Sequence, residues 1–202
     1  MGLTFTQVPN DVQKALQKNA GVLLTTFDPT AVIDDTYKKT MRGNILMATN
    51  GGFQFTDPIS WKDGADGIDN MPAGTMEMME VESREVKGSG TGKSVSSDAL
   101  LRLMATAKKT TDTTDSGLEI YTPTDVVDTS MFEELWYVCD YGTDGGFIAI
   151  KMMNTLNRDG FSMQTANKDK GDFAFAFQAH YSIENINTVP YVIYKRDSAK
   201  AE

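Results

Sequence analysis

The chain has 202 residues, of which 40% are hydrophobic, and a formal net charge of −9. This length and apolar content are typical of one domain with a substantial core, so we interpret residues 1–202 as a single domain. The acidic balance argues against a general nucleic-acid binder, whose surface is basic. The single cysteine, Cys139, excludes an internal disulfide. No run of about 18 apolar residues predicts a transmembrane helix. The N-terminus lacks a secretory signal pattern, so we expect folding in the cytoplasm of the producing cell.

Two helices are predicted. A short amphipathic helix over residues 10–19, capped by Asn10 and ended by Gly21, lies in an N-terminal arm of about residues 1–20. The main helix covers residues 97–109, with Ser97 as its cap and two lysines at its end, as the helix dipole favours.

Most of the remaining chain is predicted as strand. Residues 45–48 and 52–60 indicate a hairpin joined through Asn50 and Gly51. The composition of residues 61–72 predicts a long loop, which we extend to about residue 74. Residues 195–202 form a C-terminal tail. Further strands are expected at residues 22–27, 75–91, 135–141, 147–156, 161–166, 172–182 and 189–194. The fold class is therefore α+β and mainly β, an antiparallel sandwich or barrel-like arrangement.

The segment from Gly171 to Ser182, G-D-F-A-F-A-F-Q-A-H-Y-S, is the most informative strand. One face carries three phenylalanines, since side chains alternate along a strand. The other face is small and nearly uncharged, and it includes Ala174, Ala176 and His180. Such a face is suited to close contact with another sheet or another copy of the chain.

Three motifs offer chemistry. Gly88 to Ser94, G-S-G-T-G-K-S, imitates a phosphate-binding loop, but the first glycine is one residue too close to Lys93. Asp63, Asp66 and Asp69 do not have the spacing of a calcium loop. His180 is the only histidine and has no metal-ligating partner in the sequence pattern. We therefore expect no enzyme activity, no metal site and no cofactor, and the sequence leaves open an adventitious cation at the loop of Asp63, Asp66 and Asp69.

The order of several segments resembles the major tail, or tail tube, proteins of bacteriophages that infect Gram-positive bacteria. The resemblance runs from about Val8 to Tyr194. Its segments are V-P-N-D-V-Q-K-A-L-Q-K-N-A-G, D-P-T, W-K-D-G-A-D-G-I-D-N-M-P, L-W-Y-V-C-D-Y, G-F-I-A-I-K-M-M-N, G-D-F-A-F-A-F-Q-A-H-Y-S and V-P-Y-V-I-Y.

The resemblance implies a virion protein that is made in the bacterial host cytoplasm and forms stacked hexameric rings. Their strands would line a tube for DNA, with one helix outside and a long loop and terminal arms bridging the rings. It also implies partners: the tape measure, tail terminator and tail-tip proteins, and DNA in transit without specific binding. It also implies that the subunit itself does not insert into a membrane. A tube from a related secretion or injection machine is an alternative, as are a nucleotide-binding protein that uses Gly88 to Ser94 and a β-rich binding domain that does not self-assemble.

Two groups of residues are candidates for these roles. Residues expected at assembly interfaces are Trp61, Asp63, Asp66, Ile68, Asp69, Met71, Ala174, Ala176 and His180. An acidic lumen would repel phosphates, and the residues expected there are Asp112, Asp115, Glu119, Asp125, Asp128 and Asp144.

Overall fold

The computed structural model describes residues 12–115 and 117–198. Strands make up 47% of the structure and helices 15%, which confirms the mainly-β α+β prediction. The described α-helices are α1 (Asp35–Gly43) and α2 (Ser97–Leu103). The described strands are β1 (Gln17–Leu24), β2 (Ile45–Met47), β3 (Thr49–Thr56), β4 (Ile59–Asp63), β5 (Met79–Arg84), β6 (Lys87–Gly92), β7 (Ala107–Thr111), β8 (Glu119–Pro123), β9 (Glu133–Tyr141), β10 (Gly145–Asn157), β11 (Ser162–Gln164), β12 (Asp172–Ala179) and β13 (Tyr191–Ser198).

Nine of these strands form one antiparallel sheet that divides at β10. On one side of β10 the order is β9, β1, β2. The second side of β10 pairs first with β13 and then, at residues 155–157, with β12. β12 continues to β6 and β3, and β11 lies beside β12. We name β2, β1, β9, β10 and β13 half-sheet A, and β3, β6, β12 and β11 half-sheet B. Within the described residues the strand order stays open and does not close into a barrel.

The main core lies between the two half-sheets. Phe175 and Phe177 of β12 are buried, as the alternation along this strand predicts. They share a core cluster with Leu135 and Tyr137 of β9. The ring of Tyr137 stacks on Phe53 of β3 at 4.5 Å between centroids. Half-sheet B therefore uses its phenylalanine face to cover half-sheet A, which leaves its other face turned away from this core.

Helix α1 covers the second face of half-sheet A, and the sequence interpretation missed this helix. Asp34 caps it by accepting a 2.6 Å hydrogen bond from the Tyr37 N–H. Tyr37 and Met41, one turn apart, pack against the cluster that holds Phe27 and Trp136. The signal was present in the sequence as an aspartate cap followed by apolar residues at helical spacing.

The main helix is shorter than predicted. Its cap is Ser96, whose Oγ accepts from the Ala99 N–H, and it ends at Leu103 instead of residue 109. Ala105 then takes a left-handed conformation, with φ 60°, which a continuing helix does not allow. Lys108 and Lys109, read as helix-terminal cations, instead lie in β7 and pair with β8.

The prediction of an N-terminal helix over residues 10–19 is wrong beyond one turn. A turn of 3-10 helix covers Val12–Ala15, and β1 begins at Gln17. β1 pairs along β9, and the tertiary partner outweighs the weak amphipathic pattern. The strand predicted at residues 22–27 therefore begins earlier and ends at Leu24. Asn10, the expected cap, lies outside the described residues.

The hairpin predicted at Asn50-Gly51 is also wrong. β2 pairs with β1, whereas β3 runs through Asn50 and pairs with β6. The register shifts between Asn50 and Phe53, where Gly51 and Gly52 have φ of 77° and 87°. Asn50 and Gly51 thus lie at a bulge within one strand and not in a hairpin turn. A bulge, like a hairpin turn, favours glycine because glycine tolerates positive φ.

Candidate assembly surfaces

The predicted loop at residues 61–72 is part of a two-stranded hairpin. Trp61 lies in β4 and pairs with Val81 of β5. Neither β4 nor β5 pairs with any other described strand. We call residues 59–84 the hairpin arm. Trp61 is 55% exposed, and Val81 is exposed beside it. Two-stranded hairpins are marginally stable alone, so an exposed apolar pair on one indicates a surface that another molecule covers.

The rest of the arm is a loop that Asp63 closes. The Asp63 carboxylate accepts hydrogen bonds from the backbone N–H of Gly74, at 2.7 Å, and of Ala65, at 2.9 Å. Both hydrogen bonds lower the pKa of Asp63, and the bond from Gly74 has the larger effect. Asp63 therefore has a local structural task, while Asp66 and Asp69 are exposed. The described residues contain no group of three metal-ligating side chains.

Apolar side chains of this loop are exposed as well. Ile68 and Met71, both candidates from the sequence, are among them, together with Met76 and Met79. A concave region of about 900 Å³ on the arm is lined by Trp61, Ile68 and Met71 among others. The structure therefore gathers the predicted arm residues into one surface, although it moves Trp61 from loop to strand.

Ala174 and Ala176 lie on the face of half-sheet B that points away from the core, which we call the open face. Ala174 is exposed and Ala176 half-buried. Their register neighbours on this face are small or neutral: Ser89 and Thr91 on β6, and Asn50 and Gln54 on β3. Charged side chains flank this face at its ends, as the Lys93–Asp172 pair at one end and Glu85 with Lys87 and Arg158 at the other, where Arg158 also donates to Gln178 at 2.6 Å. No described element of the same chain covers it.

The motif Gly88 to Ser94 forms strand β6 and the residues just after it. A phosphate-binding loop must leave its backbone N–H groups free, whereas β6 is paired on both sides, with β12 and β3. Its glycines serve close packing instead. A Cβ at Gly88 would lie 2.3 Å from the Phe53 ring, and one at Gly90 would lie 2.8 Å from Phe175. The segment that imitates a phosphate-binding loop is thus a central strand that makes room for phenylalanines.

Half-sheet B has two free edges among the described residues. β3 pairs only with β6, and β11 pairs only with β12. The two edges lie on opposite sides of the half-sheet, so one copy cannot pair them with each other. Free edges offer unpaired backbone groups to another strand.

His180 is tied to its own sheet. Its backbone N–H donates to the Asn154 carbonyl at 3.2 Å, and the Asn154 side-chain amide donates back to the His180 carbonyl at 3.1 Å. Its ring Nδ1 is 3.1 Å from the same Asn154 carbonyl, and the ring meets Phe132 edge-on at 5.1 Å. It borders a groove of about 530 Å³, near the almost fully exposed Ile183. This placement is structural for the imidazole, while the groove beside it stays a candidate contact surface.

The acidic candidates do not form one surface. Asp128 caps the single turn Thr129–Met131 just before β9, whereas Asp144 lies in the turn after β9. A strand of nine residues separates the two by about 25 Å. Asp112 and Asp115 lie in the turn that connects β7 to β8, and Asp125 follows β8. Asp112 and Asp128 each accept hydrogen bonds from nearby hydroxyl and backbone groups, which lower their pKa.

Glu119 differs from the other acids because it holds a network. It pairs with Lys109 at 2.6 Å and accepts hydrogen bonds from the hydroxyls of Ser97 and Tyr121, both at 2.6 Å. These partners lower the pKa of Glu119 to about 2, and the hydrogen bond from Lys109 has the largest effect, followed by those from the two hydroxyls. Glu119 thus joins the β7–β8 hairpin to the start of α2.

One polar link was missed by sequence reasoning. Asp57 accepts from Arg84 and, at 2.9 Å, from the Tyr191 hydroxyl. It ties the base of the hairpin arm to β13. The three residues lie far apart in the chain, so no local pattern could have indicated the contact.

Comparison with known proteins gives no relative from which a role could be transferred. No protein-family model matches the chain, and no curated protein matches it significantly. Among the residues that the structure describes, no helix has the length and apolar character needed to cross a membrane.

Proposed function

We propose that this protein is a structural subunit that assembles with copies of itself into stacked rings forming a hollow tube, as in phage tails. The observation that carries this proposal is half-sheet B, which combines two free edges on opposite sides with an uncovered face of small, uncharged side chains. Edge β3 of one copy would pair with edge β11 of the next. Such head-to-tail pairing closes into a ring when its rotation allows.

The dimensions allow a ring of six, the number implied by the sequence resemblance. Four strands spaced about 4.8 Å apart span about 19 Å. Six copies then give a circumference of about 115 Å and a backbone-to-backbone diameter of about 37 Å, before strand tilt widens it. The short side chains of the open face leave most of that width free.

In this arrangement the open face would line the channel. Ala174, Ala176, Ser89 and Thr91 are uncharged, and the cations at the ends of this face are each paired with a carboxylate, so DNA would pass without specific binding. This differs from the acidic lining expected from the sequence, because none of those six acids lies on half-sheet B. Helix α1, packed on the far face of half-sheet A, would then lie outside the tube.

The hairpin arm would contact a neighbouring ring. Its exposed Trp61 and Val81 are the type of apolar anchor that dominates interface energetics. The tape measure, tail terminator and tail-tip proteins are the partners we propose from the resemblance. The place of action would be the virion tail, after assembly in the bacterial host cytoplasm.

Negative-stain electron microscopy of the purified protein over a concentration series, combined with light-scattering mass, tests the proposal. Rings or hollow tubes with six-fold symmetry are expected. A strict monomer at every concentration, including after seeding with preassembled tail tips, would contradict it.

A further inference from the structure

The hairpin arm carries an excess of negative charge that the rest of the chain does not neutralise. Five of its carboxylates have no ion-pair partner among the described residues; they are Asp66, Asp69, Glu77, Glu80 and Glu82. Lys62 is the only base on the arm before Arg84, which binds Asp57. The arm begins where β3 ends and β6 starts, at one end of half-sheet B.

The opposite end of the same half-sheet carries unpaired lysines. The turn between β11 and β12, residues 165–171, contains Lys168 and Lys170, both exposed and without an ion-pair partner in the described chain. We call these residues the lysine turn. The carboxylate of the intervening Asp169 accepts from the Lys170 N–H at 2.7 Å, which keeps it within the turn. Met163, on the strand just before the turn, is 56% exposed.

Register shows that the two features lie at opposite ends. Lys87 of β6, next to the arm, aligns with Gln178 and Thr56. Gly92, at the far end of β6, aligns with Phe173 and Thr49, beside the lysine turn. The length of β6 separates the two ends by about 17 Å.

We propose that the hairpin arm of one copy binds the lysine turn of a second copy, head to tail, so that opposite charges set the direction of stacking. Carboxylates of the arm would face Lys168 and Lys170, and the apolar pair Trp61 and Val81 would cover Met163. This inference rests on the proposed tube and deepens it, since it names the receiving surface. Complementary charge fixes orientation and register more than it adds affinity.

Charge reversal on each side, followed by reversal on both, tests the contact. One variant carries Glu80→Lys and Glu82→Lys, a second carries Lys168→Glu and Lys170→Glu, and a third combines all four changes. The matched control carries Lys39→Glu and Arg42→Glu on the exposed face of α1, with the same change in net charge as the lysine-turn variant. Mean tube length by electron microscopy, and ring mass by light scattering, are measured at low salt.

Each one-sided reversal is expected to shorten tubes about tenfold or more, because the arm reversal cancels most of the arm's negative charge and the lysine-turn reversal makes like charges meet at every ring junction. The combined variant should form longer tubes than the lysine-turn variant, since the reversed positions 80 and 82 then attract the reversed lysine turn. The α1 control should assemble normally. High salt should lengthen the tubes of the lysine-turn variant, because it screens the repulsion.

The possible failures are distinguishable. Normal tubes from both one-sided variants, or combined tubes as short as the single ones, would overturn the docking while leaving the tube intact. A wild-type chain that forms neither rings nor tubes would overturn both proposals. Melting curves check that each variant folds. If the lysine-turn variant unfolds, the neutral pair Lys168→Gln with Lys170→Gln replaces it. This neutral pair should shorten tubes less than the reversal, and tubes of normal length would also overturn the docking.

Discussion

Strand β12 and the hairpin arm are both antiparallel β-structure, yet their surroundings differ completely. β12 is paired on both sides and buries Phe175, Phe177 and Ala179 between the half-sheets. β4 and β5 pair only with each other among the described strands, and Trp61 and Val81 are exposed. The comparison separates two demands on this sequence: β12 stabilises the chain, and the arm exposes the apolar surface for which we propose contact with another copy.

The largest effect should come from the core side of this comparison. Phe177→Ala removes a side chain that is 2% exposed and leaves a cavity among Phe175 and its neighbours. We expect a loss of about 3–5 kcal/mol in the free energy of unfolding, measured by urea denaturation. Ile183→Ala is the matched control, since Ile183 is 95% exposed. A loss below about 1 kcal/mol for Phe177→Ala would contradict its placement in the core.

A smaller loss is expected from filling the space above β6. In Gly90→Ala the new Cβ would lie 2.8 Å from the Phe175 ring and 2.9 Å from the Gly52 carbonyl oxygen. Overpacking of this kind costs about 1–3 kcal/mol. Gly43→Ala, where nothing lies within 4 Å, should be neutral or slightly stabilising in the same denaturation experiment. Equal effects of the two changes would show that β6 is not packed this closely.

Glu119 gives a pH-dependent effect outside both regions. Its pKa is lowered from an unfolded value of 4.5 to about 2, so its contribution to stability is present above pH 4.5 and is lost as the pH falls towards 2. Glu119→Gln should therefore be less stable than wild type at pH 7, and the difference should shrink between pH 4.5 and pH 2. Thermal melts across this range measure it. A difference that does not depend on pH would mean that Lys109 does not hold the charged form.

The arm should show the smallest effect on stability and a large one on assembly. Trp61→Ala removes an exposed ring, so the free energy of unfolding should change by less than about 0.5 kcal/mol. Tubes should be shorter or absent, as seen by negative-stain microscopy. Met76→Ala is the comparison variant, because Met76 is also an apolar side chain of the arm and is more exposed than Trp61. Normal tubes from Trp61→Ala would exclude the ring contact proposed for this residue.

Local alternation was enough to predict the buried phenylalanine face of β12. The phenylalanine face of β12 and the strands β9 and β10 follow from side-chain period two and from glycine-rich turns. These segments have one buried face or two, so their pattern and their environment agree.

Other segments depend on partners that are distant in the chain. Residues 107–109 continue a helical pattern, yet they form β7 because β8 pairs with them. Gly88 and Gly90 belong to a motif that imitates a phosphate-binding loop, but aromatic rings from β3 and β12 require glycine there. The arm surface was partly predictable, since Trp61 stood out in a polar segment, whereas the lysine turn gained meaning only from its position opposite the arm.

The most direct test of the account is disulfide trapping across the proposed ring contact. Ser162→Cys on β11 is combined in turn with Asn50→Cys, Gln54→Cys or Thr56→Cys on β3, which allows for a shift in register. Within one copy β6 and β12 separate these edges by about 14 Å, too far for a disulfide, and Cys139 is buried. Ser162→Cys with Thr36→Cys on α1 is the control. The account predicts that one β3 position gives a ladder of oxidised multimers ending at six. Tubes in which no β3 position cross-links to Ser162→Cys would contradict it.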